Sequence, residues 1–128
     1  MHVPEDLRYS PEHEWACRTT AADTVRIGIT DFAQDSLGDV VFVDLPAVGS
    51  TVAAHQSVGE LESTKSVSEM YAPVSGTVTA VNTELGDRPQ LLNEDPYGEG
   101  WLCEISMTDS TELDALLDAD AYRAMIGG

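Results

Sequence analysis

Basic residues are scarce in this chain of 128 residues, and lysine is nearly absent. Six Lys and Arg residues stand against 23 Asp and Glu residues, which gives a formal net charge of −17. Nucleic acids and anionic membrane surfaces are bound through basic patches, so this composition argues against both classes of partner. The only lysine is Lys65, although lysine is among the commonest residues of soluble domains.

Long apolar runs are missing as well. No segment approaches the ~20 apolar residues that cross a membrane, and the acidic residues 1–6 lack the apolar core of a secretory signal. We therefore expect a cytoplasmic protein. The length and the apolar content of 42% predict a single globular domain over 1–128.

Metal-binding and catalytic signatures are also absent. Cys17 and Cys103 belong to no CxxC motif and the three histidines are scattered, so no zinc-ligand spacing exists, and we expect two buried free thiols. The chain contains no G-x-S-x-G elbow, P-loop, G-x-G-x-x-G or H-E-x-x-H motif. A Cys–His nucleophile with His13 has no pattern to support it. The sequence thus predicts a protein without catalytic residues.

Short β-strand patterns dominate the middle of the chain. Val25–Ile29 alternates with period two, Val40–Pro46 is predicted to be a buried strand, and Trp101–Ile105 is predicted to be the last strand. We expect both tryptophans, Trp15 and Trp101, in the core. A faint internal repeat flanks Lys65. The valines at positions 41 and 78 are separated by the same number of residues as the glycines at 49 and 86, which indicates a sandwich of two similar halves.

Helices are predicted only at the periphery. Thr30 and Gly38 carry the signals that begin and end a helix over residues 31–37. Near the C-terminus, Asp109 and Glu112 have the spacing of a capping box. A second helix over residues 120–126 is predicted to turn three side chains towards the core: Tyr122, Met125 and Ile126.

Lys65 lies between two of the predicted strands, Val58–Ser63 and Ser66–Tyr71. A two-residue Thr64-Lys65 turn is unfavourable, because such hairpin turns need the positive φ that Asn-Gly or Asp-Gly adopts. A local rule that fails within a regular pattern points to a functional site. One interpretation is an exposed tip that another enzyme recognises and modifies; the other is an ordinary surface lysine of an acidic β domain.

Several ordered segments of the chain resemble one family. Residues 62–66, E-S-T-K-S, are similar to the E-S-x-K-[AS] motif at which lipoate is attached in H proteins of the glycine cleavage system. The similarity continues through residues 13–15, 28–34, 37–46, 72–76 and 93–101. Because these segments extend from about residue 7 to residue 123, the resemblance is far more specific than the attachment motif alone.

The resemblance implies a mainly β fold, the lipoyl-type barrel-sandwich hybrid. This fold has two quasi-symmetric antiparallel sheets, short peripheral helices and a C-terminal helical segment. The central sandwich would span about 25–106, between an N-terminal extension, 1–24, and C-terminal helices at about 110–126. The resemblance also implies a monomeric carrier that catalyses no reaction itself.

The resemblance further implies that lipoic acid is attached covalently to Lys65. The flanks recognised by lipoate-attaching enzymes would be Glu62, Ser63, Thr64, Ser66 and Glu69. The lipoyl group would carry the aminomethyl group of glycine from glycine decarboxylase (P protein) to the aminomethyltransferase (T protein). Dihydrolipoamide dehydrogenase (L protein) would then reoxidise it.

A cleft that shields the cargo is a further expectation. The aminomethyl group is reactive and cationic, so it should be kept from water between enzymes. Glu14, beside His13, and Glu69, four residues beyond Lys65, are the candidates for holding this cation. The alternative is that both are solvated surface acids.

Two other classes of carrier and one other role are alternatives to this prediction. A biotin carrier would have methionine on both sides of the lysine, where this chain has Thr64 and Ser66. A lipoyl domain of a 2-oxoacid dehydrogenase would precede a flexible linker, where this chain has predicted helices. A relay that supplies lipoate to other lipoyl domains would keep the same fold and lysine, and the sequence leaves this role open.

Overall fold

The computed structural model describes residues 2–127. The strands of this part are β1 (Arg8–Tyr9), β2 (Glu14–Arg18), β3 (Thr24–Ile29), β4 (Val40–Asp44), β5 (Thr51–Val52), β6 (Ser57–Ser63), β7 (Val67–Tyr71), β8 (Gly76–Val81) and β9 (Cys103–Met107). The helices are α1 (Asp31–Leu37), α2 (Leu91–Glu94), α3 (Thr111–Asp114) and α4 (Ala119–Ile126), with a 3-10 turn at Thr83–Gly86.

The strands form two antiparallel sheets of unequal size. We call the six-stranded sheet, with the order β1-β2-β3-β9-β8-β5, the large sheet. The three-stranded sheet, with the order β4-β6-β7, is the lysine-bearing sheet. Residues 2–127 form two antiparallel sheets and short helices without a closed barrel, so the predicted fold class is confirmed. Strands β1 and β2, from the predicted N-terminal extension, are paired into the large sheet.

The large sheet is built on the alternation that its sequence predicts. In β3, Val25 and Ile27 are buried in the core, whereas Arg26 lies on the other face. Gly28 faces Trp15 on β2, and a Cβ atom at position 28 would lie 2.6 Å from the indole ring. Only glycine therefore lets Trp15 pack flat against β3, where it is 2% exposed.

The prediction of a fully buried strand at Val40–Pro46 is wrong. Strand β4 is an edge of the lysine-bearing sheet, and its ladder with β6 is interrupted between Val40 and Phe42. A bulge of this kind re-aims side chains, and both Val41 and Phe42 are about half exposed, at 53% and 52%. The apolar content of this segment therefore does not report its burial.

The terminal segments pack together beside the large sheet. Tyr9 and Leu117 exchange two backbone hydrogen bonds of 2.8 Å, and the Tyr9 ring stacks on Tyr122 with centroids 4.6 Å apart. Arg123 of α4 donates to the Val3 carbonyl and also pairs with Glu5. The C-terminal helices are thus held by the first residues of the chain.

Two details of the predicted C-terminal segment are wrong. The Glu112 carboxylate does not fold back on Asp109 as a capping box requires; it accepts hydrogen bonds of 2.8 and 3.0 Å from the Ser75 backbone and hydroxyl. Asp109 instead accepts from Thr111. In α4 Tyr122 is fully buried as predicted, but Met125, predicted to face the core with it, is 43% exposed.

Two core assignments hold only in part. Trp101 precedes β9 and is half-buried, with the guanidinium of Arg26 4.2 Å above its ring. Cys103 is a buried free thiol, whereas the free thiol of Cys17 is partly exposed. The last strand also begins two residues later than predicted, because the segment before it turns through Gly100.

Candidate functional site

Lys65 lies on a three-residue loop, Thr64 to Ser66, between β6 and β7, and not on the predicted two-residue turn. The Ser63 hydroxyl accepts from the backbone N–H of Ser66 at 3.0 Å and of Lys65 at 3.3 Å, and it donates to the Ser66 carbonyl. Neither Thr64 nor Lys65 has positive φ. A serine hydroxyl therefore closes the loop and removes the need for glycine.

This attachment loop (residues 64–66) is anchored on the segment that follows α1. The backbone N–H of Thr64 donates to the Asp39 carbonyl at 3.0 Å. Gly38, with φ of 84°, ends α1, and a Cβ atom at this position would lie 3.0 Å from Cε of Lys65. The aliphatic part of the Lys65 side chain thus passes over Gly38. The bond to Asp39 fixes the base of the loop, and its tip is exposed.

The ammonium group of Lys65 is free of internal partners. Lys65 is exposed, and within residues 2–127 it forms no ion pair. The neighbouring acid Glu62 is also exposed and lies opposite Phe42 on one side and Val67 on the other. An enzyme that approaches the loop can therefore reach Nζ without breaking a salt bridge.

A cleft of about 340 Å³ opens beside the attachment loop, between α1 and the start of β7. This attachment cleft is lined by Glu12, His13, Phe32, Ala33, Ser36, Leu37, Ser66, Val67 and Ser68. One wall comes from the loop that holds Lys65, and the opposite wall from the segment before β2 and from α1. The geometry places an open cleft next to the lysine.

His13 is held rigidly in the cleft wall. Its backbone has φ of 72°, a conformation uncommon for residues other than glycine, and hydrogen bonds to Ser10 and Thr30 hold it there. The ring packs on Phe32 with centroids 4.8 Å apart, and Nδ1 lies 2.8 Å from the Tyr122 hydroxyl. Burial lowers the pKa of His13, and Glu12 opposes that shift.

Glu14 does not line the cleft. The residue is 3% exposed; its carboxylate accepts from the Ser10 hydroxyl at 2.5 Å and from the backbone N–H of Tyr71 at 3.3 Å. Burial raises the pKa of Glu14 to about 8, although both hydrogen bonds oppose that shift. Glu14 thus connects β2 of the large sheet to β7 of the lysine-bearing sheet.

Glu69, the third residue predicted for the cleft, lies away from it. Glu69 is exposed on the outer face of the lysine-bearing sheet, where it accepts a hydrogen bond from the Tyr71 hydroxyl and lies opposite Glu60. It is not part of the attachment cleft. Of the three residues predicted for the cleft, the structure brings His13 to its wall and leaves Glu14 and Glu69 out of its lining.

Sequence reasoning missed two residues of this region. Glu12 lines the cleft, and its carboxylate lies 2.9 Å from Nδ1 of His55. Tyr122, 109 positions after His13, contacts the His13 ring from α4. The position of Glu12 next to His13 is a usable signal, whereas nothing local to Tyr122 indicates this contact.

Residues 2–127 contain neither a metal-binding cluster nor a membrane-spanning helix. No group of three or more His, Cys, Asp or Glu side chains is arranged to hold a metal ion. No helix of this part of the chain has the length and apolar character of a membrane span. The lysine loop and its cleft are therefore the candidate site.

A two-sheet β domain that presents its single lysine on an anchored hairpin loop belongs to the class of carrier domains modified on lysine. A sequence model of the family described as "Glycine cleavage H-protein" matches residues 7–127. The chain therefore belongs to the glycine cleavage H-protein family, and the resemblance inferred from its motifs is confirmed. Membership places it in the glycine cleavage system as a lipoyl carrier component.

Individual relatives agree with this assignment. The chain is 60% identical over 128 residues to the glycine cleavage system H protein of Mycobacterium avium, a match that covers 97% of this chain and 96% of that protein. It is 62% identical over 120 residues to the H protein of Micrococcus luteus, with 94% of each chain covered. The crystal structure of the H protein from Mycobacterium marinum has a TM-score of 0.89 at 45% identity and covers 98% of this chain and all of that one.

Proposed function

We propose that Lys65 is the attachment site of lipoic acid and that the chain carries the aminomethyl group of glycine between the enzymes of the system. The cargo would come from the decarboxylase (P protein) and go to the aminomethyltransferase (T protein). Dihydrolipoamide dehydrogenase (L protein) would restore the disulfide. The observation that carries this proposal is the only lysine of the chain, exposed on an anchored loop within E-S-T-K-S.

The residues around Lys65 fit an amide-linked lipoyl group. In the attachment step Nζ attacks the activated carboxyl carbon of lipoate, an N–C bond forms, and the activating group leaves as the amine loses its proton. The lysine must therefore be exposed and unpaired, and within residues 2–127 Lys65 is both. When bound, lipoate supplies a disulfide that opens to accept the cargo; the chain supplies the fixed loop and the cleft.

We also propose that the attachment cleft shields the cargo. Glu12 lies in its wall, and Glu14 is buried next to His13 in the chain. Glu69 would act only from outside the cleft, near the rim of the loop. His13 closes the wall between Glu12 and Glu14.

The lifetime of the loaded protein tests this role of the cleft. We expect Glu14→Gln and Glu12→Gln to shorten the lifetime of the bound aminomethyl group, with a smaller effect of Glu69→Gln. Glu94→Gln, on the short helix α2 and outside the cleft lining, is the matched control. Equal lifetimes in all four variants and the parent protein would overturn the shielding role.

The proposal has a direct biochemical test. Full-length protein is incubated with a lipoate ligase, ATP and lipoate, and then with glycine and purified decarboxylase. We expect modification of the parent protein and glycine-dependent loading, and neither in Lys65→Arg, which keeps the charge but offers no nucleophilic amine at neutral pH. Modification without loading would contradict the carrier role in glycine cleavage.

Two further properties stay predictions within this proposal. We expect a monomer, which light scattering behind a sizing column measures directly. We expect a cytoplasmic location, which cell fractionation with an antibody to the chain measures. Association into a stable dimer, or recovery outside the cytoplasmic fraction, would contradict them.

A further inference from the structure

A chain of hydrogen bonds runs from the first turn of α1 to the wall of the attachment cleft. The backbone N–H of Ala33 donates to the Thr30 hydroxyl at 3.2 Å. The Thr30 hydroxyl lies 2.7 Å from the Tyr122 hydroxyl, which lies 2.8 Å from Nδ1 of His13. Three segments that are distant in sequence, α1, α4 and the residues before β2, therefore meet in one polar relay within an apolar surrounding.

The direction of this relay follows from the burial of Thr30. Thr30 is 0% exposed, and its oxygen already accepts from Ala33 in capping α1. Among residues 2–127 the only acceptor within reach of its hydroxyl proton is the Tyr122 oxygen. A buried hydroxyl proton without an acceptor is costly, so Thr30 donates to Tyr122. The Tyr122 proton is then directed to Nδ1 of His13.

We propose that Tyr122 is a positioning residue that holds the His13 proton on Nε2, so that the cleft wall presents a neutral imidazole. This inference rests on the proposed function only for the identity of the cargo. The Nδ1 atom is occupied as an acceptor, and the other ring nitrogen forms no hydrogen bond within residues 2–127. Because no buried polar side-chain atom in this part of the chain lacks a partner, Nε2 is open to solvent.

The surroundings of the ring agree with this protonation state. Phe32 of α1 covers one side of the imidazole, and the opposite wall, formed by Ser66 of the attachment loop with Val67 and Ser68 of β7, has no charged side chain. The carboxyl groups nearby are Glu12 in the wall and the buried Glu14. Glu12 favours the charged ring, but burial outweighs it and lowers the pKa of His13.

A neutral His13 has a clear consequence for a cationic cargo. Two positive charges in contact repel, and the repulsion is strongest where water is excluded. A charged His13 would disfavour the protonated amine in the cleft and leave more of it with a free lone pair, which can expel the sulfur. By holding the proton on Nε2 and opposing a second one on Nδ1, Tyr122 keeps a positive charge on His13 away from the cargo and leaves Glu12 as the carboxylate in this wall.

Nitrogen NMR of the histidine rings in the full-length protein tests the proposal directly, with or without lipoate on Lys65. We expect the proton of His13 on Nε2 at neutral pH. In Tyr122→Phe we expect mixed tautomers and a shift of the ring's protonation equilibrium towards the charged form by about threefold, the effect of one modest hydrogen bond. Tyr9→Phe is the matched control, because Tyr9 stacks on Tyr122 but its hydroxyl donates to the Pro4 carbonyl.

The tautomer in the parent protein needs no variant, so the proposal can fail even if Tyr122→Phe does not fold. A proton on Nδ1 in the parent, or an unchanged ring in folded Tyr122→Phe, would overturn it. Neither result would bear on lipoate attachment to Lys65, so the two proposals fail separately.

Cargo retention provides a second readout, which a purely structural role would not produce. We expect folded Tyr122→Phe to lose the aminomethyl group about threefold faster than the parent near about pH 6, and at equal rates near about pH 8.5, where both rings are neutral. Tyr9→Phe should match the parent at both values. A ratio that does not change with pH would contradict the proposal.

Discussion

The two sheets differ in how their cross-strand neighbours are matched. In the large sheet Arg26 lies opposite Glu104, forms an ion pair of 2.9 Å with it and stacks on Trp101. In the lysine-bearing sheet Glu60 lies opposite Asp44 on one side and Glu69 on the other. Like charges directly opposite one another are destabilising, and within residues 2–127 none of these three carboxylates forms an ion pair.

The burial of apolar residues also differs between the two sheets. The inward residues of β3 in the large sheet are almost completely buried, whereas Phe42 and Val67 of the lysine-bearing sheet are 52% and 59% exposed. The large sheet is arranged for stability. The lysine-bearing sheet departs from the same rules on the face next to Lys65, where such departures indicate a surface shaped by function.

The largest difference should appear when one aliphatic side chain is truncated in each sheet. Ile27→Ala, in the core of the large sheet, should lower the free energy of unfolding by about 3 kcal/mol, because it leaves a cavity. Val67→Ala, its exposed counterpart, should change stability by less than about 0.5 kcal/mol. Urea denaturation measures both. Similar losses in the two variants would show that Val67 is packed in solution.

The pH dependence of stability should come from the carboxyl group that joins the sheets. The pKa of Glu14 rises from its ordinary value of 4.5 to about 8 on folding, so the folded chain binds a proton that the unfolded chain has lost. The contribution of Glu14 to the free energy of unfolding therefore falls as the pH rises from 4.5 to about 8.

Glu14→Gln removes this titration. We expect the parent protein to lose about 2 kcal/mol more than the variant between about pH 5 and about pH 8. Denaturant melts of both proteins across this range measure the difference. Parallel pH profiles would contradict the burial of Glu14.

Substitution of two glycines with positive φ distinguishes the effect of backbone strain from the effect of contact with Lys65. Gly38→Ala and Gly49→Ala should each cost about 1 kcal/mol, because alanine resists the φ of 84° and 91° found there. Only Gly38 has the stem of Lys65 within 4 Å. We therefore expect only Gly38→Ala to slow lipoate attachment, measured by intact mass over time. Equal slowing by both variants would indicate a general loss of stability.

The smallest expected effect is a gain. Glu60→Lys would place a positive charge between Asp44 and Glu69 and should raise stability by a few tenths of a kcal/mol at low salt. Glu104→Gln, which breaks the matched pair with Arg26 in the large sheet, should lower it by a similar amount. Thermal unfolding at two salt concentrations measures both changes. A loss of stability in Glu60→Lys would show that the repulsion among Asp44, Glu60 and Glu69 is already offset in the folded protein.

Local signals predicted the parts of the fold that depend on local chemistry. Helix α1 begins after Thr30, whose hydroxyl accepts from Ala33, and ends at Gly38, as its sequence indicates. The two short strands on either side of Lys65 were also predicted, each within one residue of its observed bounds. The single lysine and its flanks identified the candidate attachment loop before any geometry was known.

Long-range contacts could not be predicted in this way. The loop that carries Lys65 is closed by a serine hydroxyl and a bond to Asp39, so the turn rule applied to it was the wrong one. Glu112 forms its bonds with Ser75 because β8 lies beside α3 in the folded chain. Similarly, the contact of Tyr122 with His13 depends on the packing of α4 and has no counterpart in either local sequence.

The mass of the intact protein, purified from its own cells and mapped by peptide, tests the role of Lys65 most directly. We predict a lipoyl or octanoyl group on Lys65 and an unmodified chain in Lys65→Arg. Biotin on Lys65, or a lysine without any modification in cells that are cleaving glycine, would contradict the carrier role.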